Sequence, residues 1–217
     1  SQLEESVIKK ISIKNGLYFE KIRIATPNVH LIGESQEDTI IDYDRASGHV
    51  KPQGGEWGTQ GSATVTISSA ARGFIAHNLT FSNSFDYYGS TVGNKQAVAL
   101  VNEADRALYY KVSFKGLQDT LYAKNGRQWY LDVYVEGIVD YIFGNGGPAF
   151  FENSVIHTLK REDTNANAVI TANQGLGSSA SDVIKYGYVF YNNTLTADEG
   201  VLDGSVDLGR PWRQRSE

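Results

Sequence analysis

The feature that most constrains this chain is a repeated unit with a period of about 21 residues. Four segments, at 73–81, 106–114, 127–135 and 148–156, each carry a short apolar or aromatic run. Their last residues are 33, 21 and 21 positions apart. A fixed period in this range is typical of solenoids, in which each repeat packs against its neighbours. The repeat therefore predicts a stack of similar coils.

The runs within the repeats indicate short strands separated by turns, since none is long enough for an amphipathic helix. Stretches at 7–13, 21–25, 29–32 and 39–42 have the same character. A fifth unit at 186–196 follows about 40 residues after the fourth, which fits either two coils or one coil with a long loop. We therefore predict an all-β chain folded as a parallel β-helix. Four asparagines near the predicted corners are expected to be turn or stacking residues: Asn78, Asn153, Asn192 and Asn193.

Composition excludes several classes of protein and site. The net charge is −5 with Lys and Arg scattered along the chain, which argues against a nucleic-acid surface. There is no cysteine, so disulfides and thiolate metal sites are excluded. The four histidines are isolated, and we expect no metal or cofactor. No apolar stretch approaches the roughly 20 residues that a membrane-spanning helix needs, so no membrane partner is expected.

Residues 44–61 are polar and rich in glycine, and they indicate one long loop. Such a loop is uncommon in a compact domain and is often functional. Two tryptophans that no motif explains, Trp57 in this loop and Trp129, are expected to pack in a loop or in the core.

Four polar residues recur at the period of the coils. Gln96 and Gln118 are 22 residues apart, and Asp119 and Asp140 are 21 apart. In coils of that length the four side chains would share one face of three successive turns. Two carboxyls one coil apart, among aromatic residues, would repel each other and be partly desolvated, which raises the pKa of one. The other would need a nearby cation to stay ionised.

Such a pair separates an acid from a nucleophile, which is the pattern of catalysis by paired carboxylates. The alternative is a stacked polar ladder that only satisfies a corner of the coils. On spacing alone both interpretations stay open.

Five motifs, in order along the chain, resemble those of the pectin methylesterase family. They are GLYFE at 16–20, QAVAL at 96–100, GLQDTLY at 116–122, VDYIFG at 139–144 and LGRPW at 208–212. Leu117 and Tyr141 replace the tyrosine and phenylalanine of the family pattern, and TANQG at 171–175 matches its TAQG segment only loosely. The resemblance implies a single-stranded right-handed parallel β-helix, the pectin lyase-like solenoid, that hydrolyses pectin methyl esters.

The resemblance also implies a role for each matching residue. Asp140 would be the nucleophile that forms an acyl-enzyme, and Asp119 the general acid and then the general base. Gln118 and Gln96 would stabilise the oxyanion with their side-chain amides. Arg210 would hold Asp140 ionised and oriented.

The residues implied to bind substrate include Gln96 and Arg210 again. Three aromatic residues, Tyr122, Phe143 and Trp212, would line a groove for sugars, because the C–H face of a sugar packs well on an aromatic ring.

The resemblance covers one catalytic domain, 1–217, which looks shortened at both ends relative to family members. Because the chain begins at Ser1 and contains no methionine, we expect that an upstream segment has been removed. The partner implied is methyl-esterified polygalacturonate, and a monomer is expected. The location implied by that substrate is extracellular or periplasmic.

Two other functions remain open at this point. Shortened ends would fit a noncatalytic or incomplete β-helix that binds pectin. A thioesterase-like relative or a glycosidase could use the same scaffold, but a glycosidase would leave Gln96, Gln118 and Arg210 without a role. A lyase is expected to need a carboxylate cluster for calcium, and the sequence has none.

Overall fold

The computed structural model describes residues 7–162, 166–174 and 187–212. All strand pairs within these residues are parallel, and one short helix interrupts them. In chain order the elements are β1 (Lys9–Ile13), β2 (Gly16–Phe19), β3 (Ile22–Ile24), β4 (Val29–Gly33), β5 (Thr39–Tyr43), α1 (Gly58–Ser62), β6 (Val65–Ile67), β7 (Ile75–Asn83), β8 (Leu100–Asn102), β9 (Ala107–Lys115), β10 (Leu121–Ala123), β11 (Gln128–Leu131), β12 (Tyr134–Gly137), β13 (Val139–Gly144), β14 (Ala149–Glu152), β15 (Val155–Thr158), β16 (Ala168–Asn173), β17 (Tyr188–Tyr191), β18 (Thr194–Ala197) and β19 (Val206–Pro211).

These strands form a right-handed parallel β-helix with three faces, and the described part of the chain makes seven coils. The first face runs β1-β4-β7-β9-β11-β14-β17, and the second runs β2-β5-β7-β9-β12-β15-β18. The long strands β7 and β9 turn the corner between these two faces and join them into one sheet. The third face is a separate seven-stranded sheet, β3-β6-β8-β10-β13-β16-β19. The predicted fold class is therefore confirmed.

The register of the first face follows the predicted repeat. Ile75 pairs with Leu108, Leu108 with Trp129, and Trp129 with Phe150, which are the steps of 33, 21 and 21 residues. Phe150 pairs directly with Val189. The fifth unit is therefore one coil after a long loop, although its first residue, at 186, lies outside the described residues.

The N-terminal strands are also where the sequence indicates them, except that it did not separate β2 as a strand. The predicted loop at 44–61 is present, and its last residues form α1, a single helical turn that the sequence pattern did not indicate. No helix among the described residues is long and apolar enough to cross a membrane.

The corner between the first and second faces is built from residues in the left-handed conformation. Their φ angles lie between 51° and 60° in five successive coils, at Asn78, Lys111, Asp132, Asn153 and Asn192. Asparagine and aspartate adopt this conformation more readily than other residues that carry a Cβ atom. The Asn192 amide nitrogen donates to Asn153 Oδ1 at 2.6 Å, so the asparagines both turn the chain and join coils.

On the inner side of the β-helix, the first face carries a ladder of stacked aromatic rings. The Tyr109 and Tyr130 ring centroids are 4.9 Å apart at 7°, and those of Tyr130 and Phe151 are 4.5 Å apart at 7°. Phe190 continues the ladder 4.8 Å from Phe151. In-register pairing places equivalent side chains one strand spacing apart, about 4.8 Å, which is also a good distance for stacked rings. Trp129, in contrast, lies on the outer surface of β11 with 43% of it exposed, so its predicted packing in the core or a loop is wrong.

We expect Tyr130→Ala to lower the free energy of unfolding by about 3–5 kcal/mol, because it leaves a ring-sized cavity in a fully buried ladder. Tyr130→Phe keeps the stacking and removes only the hydrogen bond from the hydroxyl to Gln128 Oε1, so about 1 kcal/mol should be lost. Equilibrium unfolding in denaturant measures both. Equal losses in the two variants would show that the ladder does not stabilise the coils through ring packing.

Candidate active site

Two aspartates lie at the corner where the second face turns into the third. Asp119 and Asp140 occupy successive coils, since Gln118 bridges to Val139 in parallel register. Both aspartates adopt the left-handed conformation, with φ of 62° and 52°. This conformation makes a sharp turn from one face to the next, and the two carboxyls project beside the outer surface of the third face. The 21-residue spacing has therefore brought the two carboxyls together as predicted.

Asp140 is bound by an arginine from two coils away. Arg210, in β19, donates from Nε to Asp140 Oδ1 at 2.7 Å and from Nη2 to Oδ2, so the ion pair is bidentate. Asp140 is 6% exposed, whereas the Arg210 side chain is 44% exposed. The hydrogen bond to Asp140 raises the pKa of Arg210 above its ordinary value. A bidentate guanidinium of this kind favours the ionised form of the carboxyl it binds.

Asp119 has the opposite electrostatic environment. Burial raises the pKa of its carboxyl well above the ordinary value, and the negative charge of Asp140 raises it further, while Arg210 opposes both effects. Asp119 is 7% exposed. The environment of Asp119 thus favours its neutral form, whereas the Arg210 guanidinium favours a charged partner at Asp140. Two carboxyls in different protonation states can serve as a proton donor and a nucleophile.

Two glutamine side chains border the same corner, and both are half-buried. Gln118 directly precedes Asp119, and its carbonyl accepts a hydrogen bond from Ala97 N at 3.1 Å. The Val139 carbonyl accepts from Asp119 N at 3.2 Å in the same way, so Gln96 lies beside Gln118 as Gln118 lies beside Val139. The Gln96 Oε1 atom is buried and has no partner within the described residues.

The outer surface of the third face forms an apolar floor beside the carboxyls. Tyr122 and Phe143 stack with centroids 4.1 Å apart at 17°, and Trp212 meets Phe143 edge-on at 5.8 Å. Phe143 is only 2% exposed, so it supports its neighbours from within the stack. The floor also contains four smaller side chains: Ala63, Val98, Val101 and Ala172.

A wall of aromatic residues along one side of this floor was not predicted from the sequence. The loop between β7 and β8 packs Phe85 and Tyr87 against Ile138, at the start of the coil segment that carries Asp140. Tyr88 accepts a hydrogen bond from Glu162 N at 3.2 Å, which links this loop to the one after β15. The run of aromatic residues in a loop is the signal that could have identified the wall.

The opposite rim of the floor is polar. Lys124 Nζ is 2.7 Å from Glu103 Oε1 and 2.8 Å from Gln60 Oε1 of α1. Tyr122 donates from its hydroxyl to Asn145 Oδ1 at 2.8 Å along the same rim. The apolar strip thus lies between a loop wall and a polar rim, and we call this strip with its two borders the groove.

Every residue predicted for the site lies within the described part of the chain: Asp119, Asp140 and Arg210 meet at one side of the groove, and Gln118 and Gln96 lie at the same corner. Of the TANQG segment, only Gly175 lies outside the described residues. Across 7–162, 166–174 and 187–212, no three His, Asp or Glu side chains are grouped so that they could hold a metal ion.

Comparison with known proteins gives one family. The family model named Pectinesterase matches residues 2–217. Pectinesterase A of Dickeya dadantii is 39% identical over 93% of this chain and 57% of its own length. The chain thus spans somewhat more than half the length of this curated relative.

Solved structures of pectin methylesterases are similar in fold. The enzyme from Yersinia enterocolitica superposes with a TM-score of 0.88 and 37% identity, over 96% of this chain and 67% of that one. A pectin methylesterase in complex with a hexasaccharide has a TM-score of 0.87 and 36% identity, over 95% of this chain and 63% of that one.

The pairing of Arg210 with Asp140 should stabilise the fold as well as the site. We expect Arg210→Gln to lower the free energy of unfolding at pH 7 by about 1.5–3 kcal/mol, because it leaves a buried carboxylate without its charged donor. Adding Asp140→Asn should recover most of that loss. Denaturant unfolding of the four chains of this double-mutant cycle measures the coupling. Additive losses would mean that the ion pair contributes no stability.

The protonation of Asp119 can be followed directly by carbon-13 NMR titration of its carboxyl. We expect a pKa well above 3.8 in the parent chain. In Asp140→Asn the pKa should fall, because the neighbouring negative charge is removed while the Arg210 cation remains. It should stay above 3.8, since burial is the largest cause of the shift. An Asp119 carboxyl that titrates near 3.8 in the parent would contradict the environment described here.

Proposed function

The chain belongs to the pectinesterase family, and from this premise we propose that it hydrolyses the galacturonate methyl esters of pectin to pectate and methanol. The observation that carries the proposal is the unequal state of two neighbouring carboxyls. Asp140 is paired with Arg210, and Asp119 is buried with a raised pKa. Ester hydrolysis through an acyl-enzyme needs both, because one group must attack the carbonyl carbon and the other must protonate the alcohol that leaves.

In the first step an Asp140 oxygen attacks the ester carbonyl carbon and forms a tetrahedral intermediate. Arg210 fixes both oxygens of this carboxylate, so the attacking atom is oriented before substrate arrives. The oxyanion is stabilised by amide donors from Gln118 and Gln96. The Gln96 Oε1 atom is buried without a hydrogen-bond partner among the described residues, and the amide nitrogen of the same group would be the donor to the oxyanion. One such donor contributes on the order of 3–4 kcal/mol in other hydrolases.

In the second step the tetrahedral intermediate collapses and the bond to the methoxy oxygen breaks. Asp119 gives its proton to that oxygen, so methanol leaves and Asp119 becomes a carboxylate. The galacturonyl group is now joined to Asp140 as an anhydride. The raised pKa of Asp119 suits this role, because burial favours the protonated form of its carboxyl.

In the third step Asp119 acts as a base. Its carboxylate takes a proton from water, and the resulting hydroxide attacks the galacturonyl carbonyl of the anhydride. The bond to Asp140 breaks, which restores the Asp140 carboxylate and the protonated Asp119. The galacturonic acid product then loses its proton to solvent. Both carboxyls have returned to their starting states.

The groove supports a polymeric substrate. Its floor is apolar, its rim is polar, and it continues past the carboxyls in both directions along the helix axis. Trp212 and Tyr122 are the rings placed to contact a sugar, whereas Phe143 holds them from below. A methyl-esterified galacturonan fits this surface, since its sugar faces are apolar and its hydroxyls remain solvated.

The substrate also supports a location. Pectin is a polymer outside the cell that makes it, so an extracellular or periplasmic site of action follows from the proposed activity. We further propose that the chain acts as a monomer.

The nucleophile can be tested with Asp140→Asn and a matched control. We expect this variant to lose methanol release from methylated pectin by about 10⁴-fold or more, because no acyl-enzyme can form. Asp132→Asn is the control, since Asp132 has the same φ of 52° but lies at a different corner. The control should retain activity. Circular dichroism must show the same β structure in both variants.

The outcomes separate the candidate functions. Activity retained in Asp140→Asn would remove Asp140 as the nucleophile. A folded parent chain that binds pectin but releases no methanol would instead be a binding β-helix. Release of reducing sugars without methanol would indicate a glycosidase on this scaffold.

A further inference from the structure

Two buried hydroxyl side chains lie behind the paired aspartates, on the inner side of the corner. Thr120 directly follows Asp119, and Tyr141 directly follows Asp140. Both Thr120 and Tyr141 are fully buried. Their side chains therefore point into the β-helix, whereas the carboxyls that precede them project toward its outer surface.

These two hydroxyls join successive coils. Thr120 donates from Oγ1 to the Glu136 carbonyl of the next coil at 2.9 Å. The Tyr141 hydroxyl and Thr158 Oγ1, again in the next coil, share a hydrogen bond of 2.9 Å. Thr158 is the last residue of β15 and is 2% exposed. Burial raises the pKa of Tyr141 to about 12, so its hydroxyl stays neutral near pH 7.

Gly137 leaves room for the Tyr141 side chain to lie against the turn. A Cβ atom on Gly137 would be 2.3 Å from Tyr141 Cβ and 2.9 Å from the Leu117 carbonyl oxygen, so no other residue fits without a shift of the backbone. Gly137 is also the in-register neighbour of Thr158. The tyrosine thus packs on one residue of this neighbouring pair and bonds to the other.

In-register pairing holds the backbone at Asp140 on one side only. Toward β10 the register is constant across this residue. Toward β16, β13 pairs at Val139 and again from Ile142, with three residue steps along β13 and two along β16 between these pairs. The shift is a β-bulge, which interrupts the ladder at Asp140 and Tyr141. The hydrogen bond from Tyr141 to Thr158 joins the same two coils beside the bulge.

The ion pair of Asp140 requires a fixed direction of this carboxyl. Arg210 comes from β19, which lies beyond β16 on the side of the bulge, and it binds both carboxylate oxygens. A bidentate pair needs the carboxylate and the guanidinium to be aligned. A rotation of the backbone at Asp140 would therefore break one of the two hydrogen bonds and turn the attacking oxygen away from the ester.

We propose that Tyr141 is a positioning residue for the nucleophile, because its hydrogen bond to Thr158 holds the bulge in the conformation that aligns Asp140 with Arg210. This inference rests on the proposed function and adds to it a residue that touches neither the substrate nor the reacting atoms. Its effect falls on kcat, which depends on the direction of the attacking oxygen, and not on KM.

The test is methanol release from methylated pectin by Tyr141→Phe. We expect kcat to fall about fivefold with KM unchanged, because the ring is kept and only the link to the next coil is lost. Thr158→Val should cause the same fall, whereas Thr158→Ser keeps the hydroxyl and should retain the parent's kcat. The matched control is Tyr130→Phe, which also loses one hydrogen bond of a fully buried hydroxyl, but on the first face. The control should keep the parent's kcat.

A double variant separates positioning from stability. Tyr141→Phe leaves the buried Thr158 hydroxyl without this partner, which lowers the free energy of unfolding. Combining Tyr141→Phe with Thr158→Val removes both polar groups and should recover most of that loss. A positioning role predicts that kcat stays about fivefold low in the double variant. Recovery of kcat together with stability would overturn the proposal.

A second readout does not depend on activity. If the bulge is loosened in Tyr141→Phe, the ion pair is weaker, so Arg210→Gln should lower the free energy of unfolding by less in that background than in the parent. In the Tyr130→Phe background the loss should equal the parent's.

The two readouts distinguish failure of this inference from failure of the proposed function. A parent that releases no methanol would refute the esterase, and the unfolding measurements would then decide the positioning role by themselves. Equal losses from Arg210→Gln in all three backgrounds would overturn it in that case. With an active parent, an unchanged kcat in Tyr141→Phe would overturn the positioning role alone.

Discussion

The structure depends on in-register stacking of successive coils. Each strand pairs with the equivalent strand of the next coil, so residues 21 apart become neighbours about 4.8 Å apart. A coil that lacked the sharp turn at one of its corners would place its side chains on the wrong face. The left-handed residues at the corners prevent this, because they turn the chain sharply at the same position in successive coils. Loops of different length can then connect the strands of a coil without changing the pairing of the strands on each face.

The same constraint creates the site. The left-handed aspartates at 119 and 140 are corner residues as much as chemical groups, and stacking alone makes them neighbours. Placing two carboxyls so close in a buried corner is unfavourable unless their charges differ. Arg210, from a later coil, ion-pairs with one of them, and burial favours the neutral form of the other. The solenoid thus produces an acid and a nucleophile from two copies of one residue type.

Loops give the site the properties that the coils cannot supply. The coils repeat, so by themselves they would present a uniform surface along the axis. The loop after β5 stacks the Arg45 guanidinium on the Trp57 ring, and the loop after β7 adds an aromatic wall beside the carboxyls. Both loops leave the corner that carries Asp119 and Asp140. Differences between the two ends of the groove therefore arise from loop sequence, whereas the catalytic geometry arises from the period.

The sequence by itself determined the fold class, most strand positions and the identity of the paired carboxyls, because a repeat of 21 residues fixes which residues become neighbours. The tertiary structure decided what a period cannot encode. Arg210 lies 70 residues from Asp140, and only coil stacking makes them a bidentate pair. The aromatic wall depends on the path of the loop after β7, which carries no periodic signal.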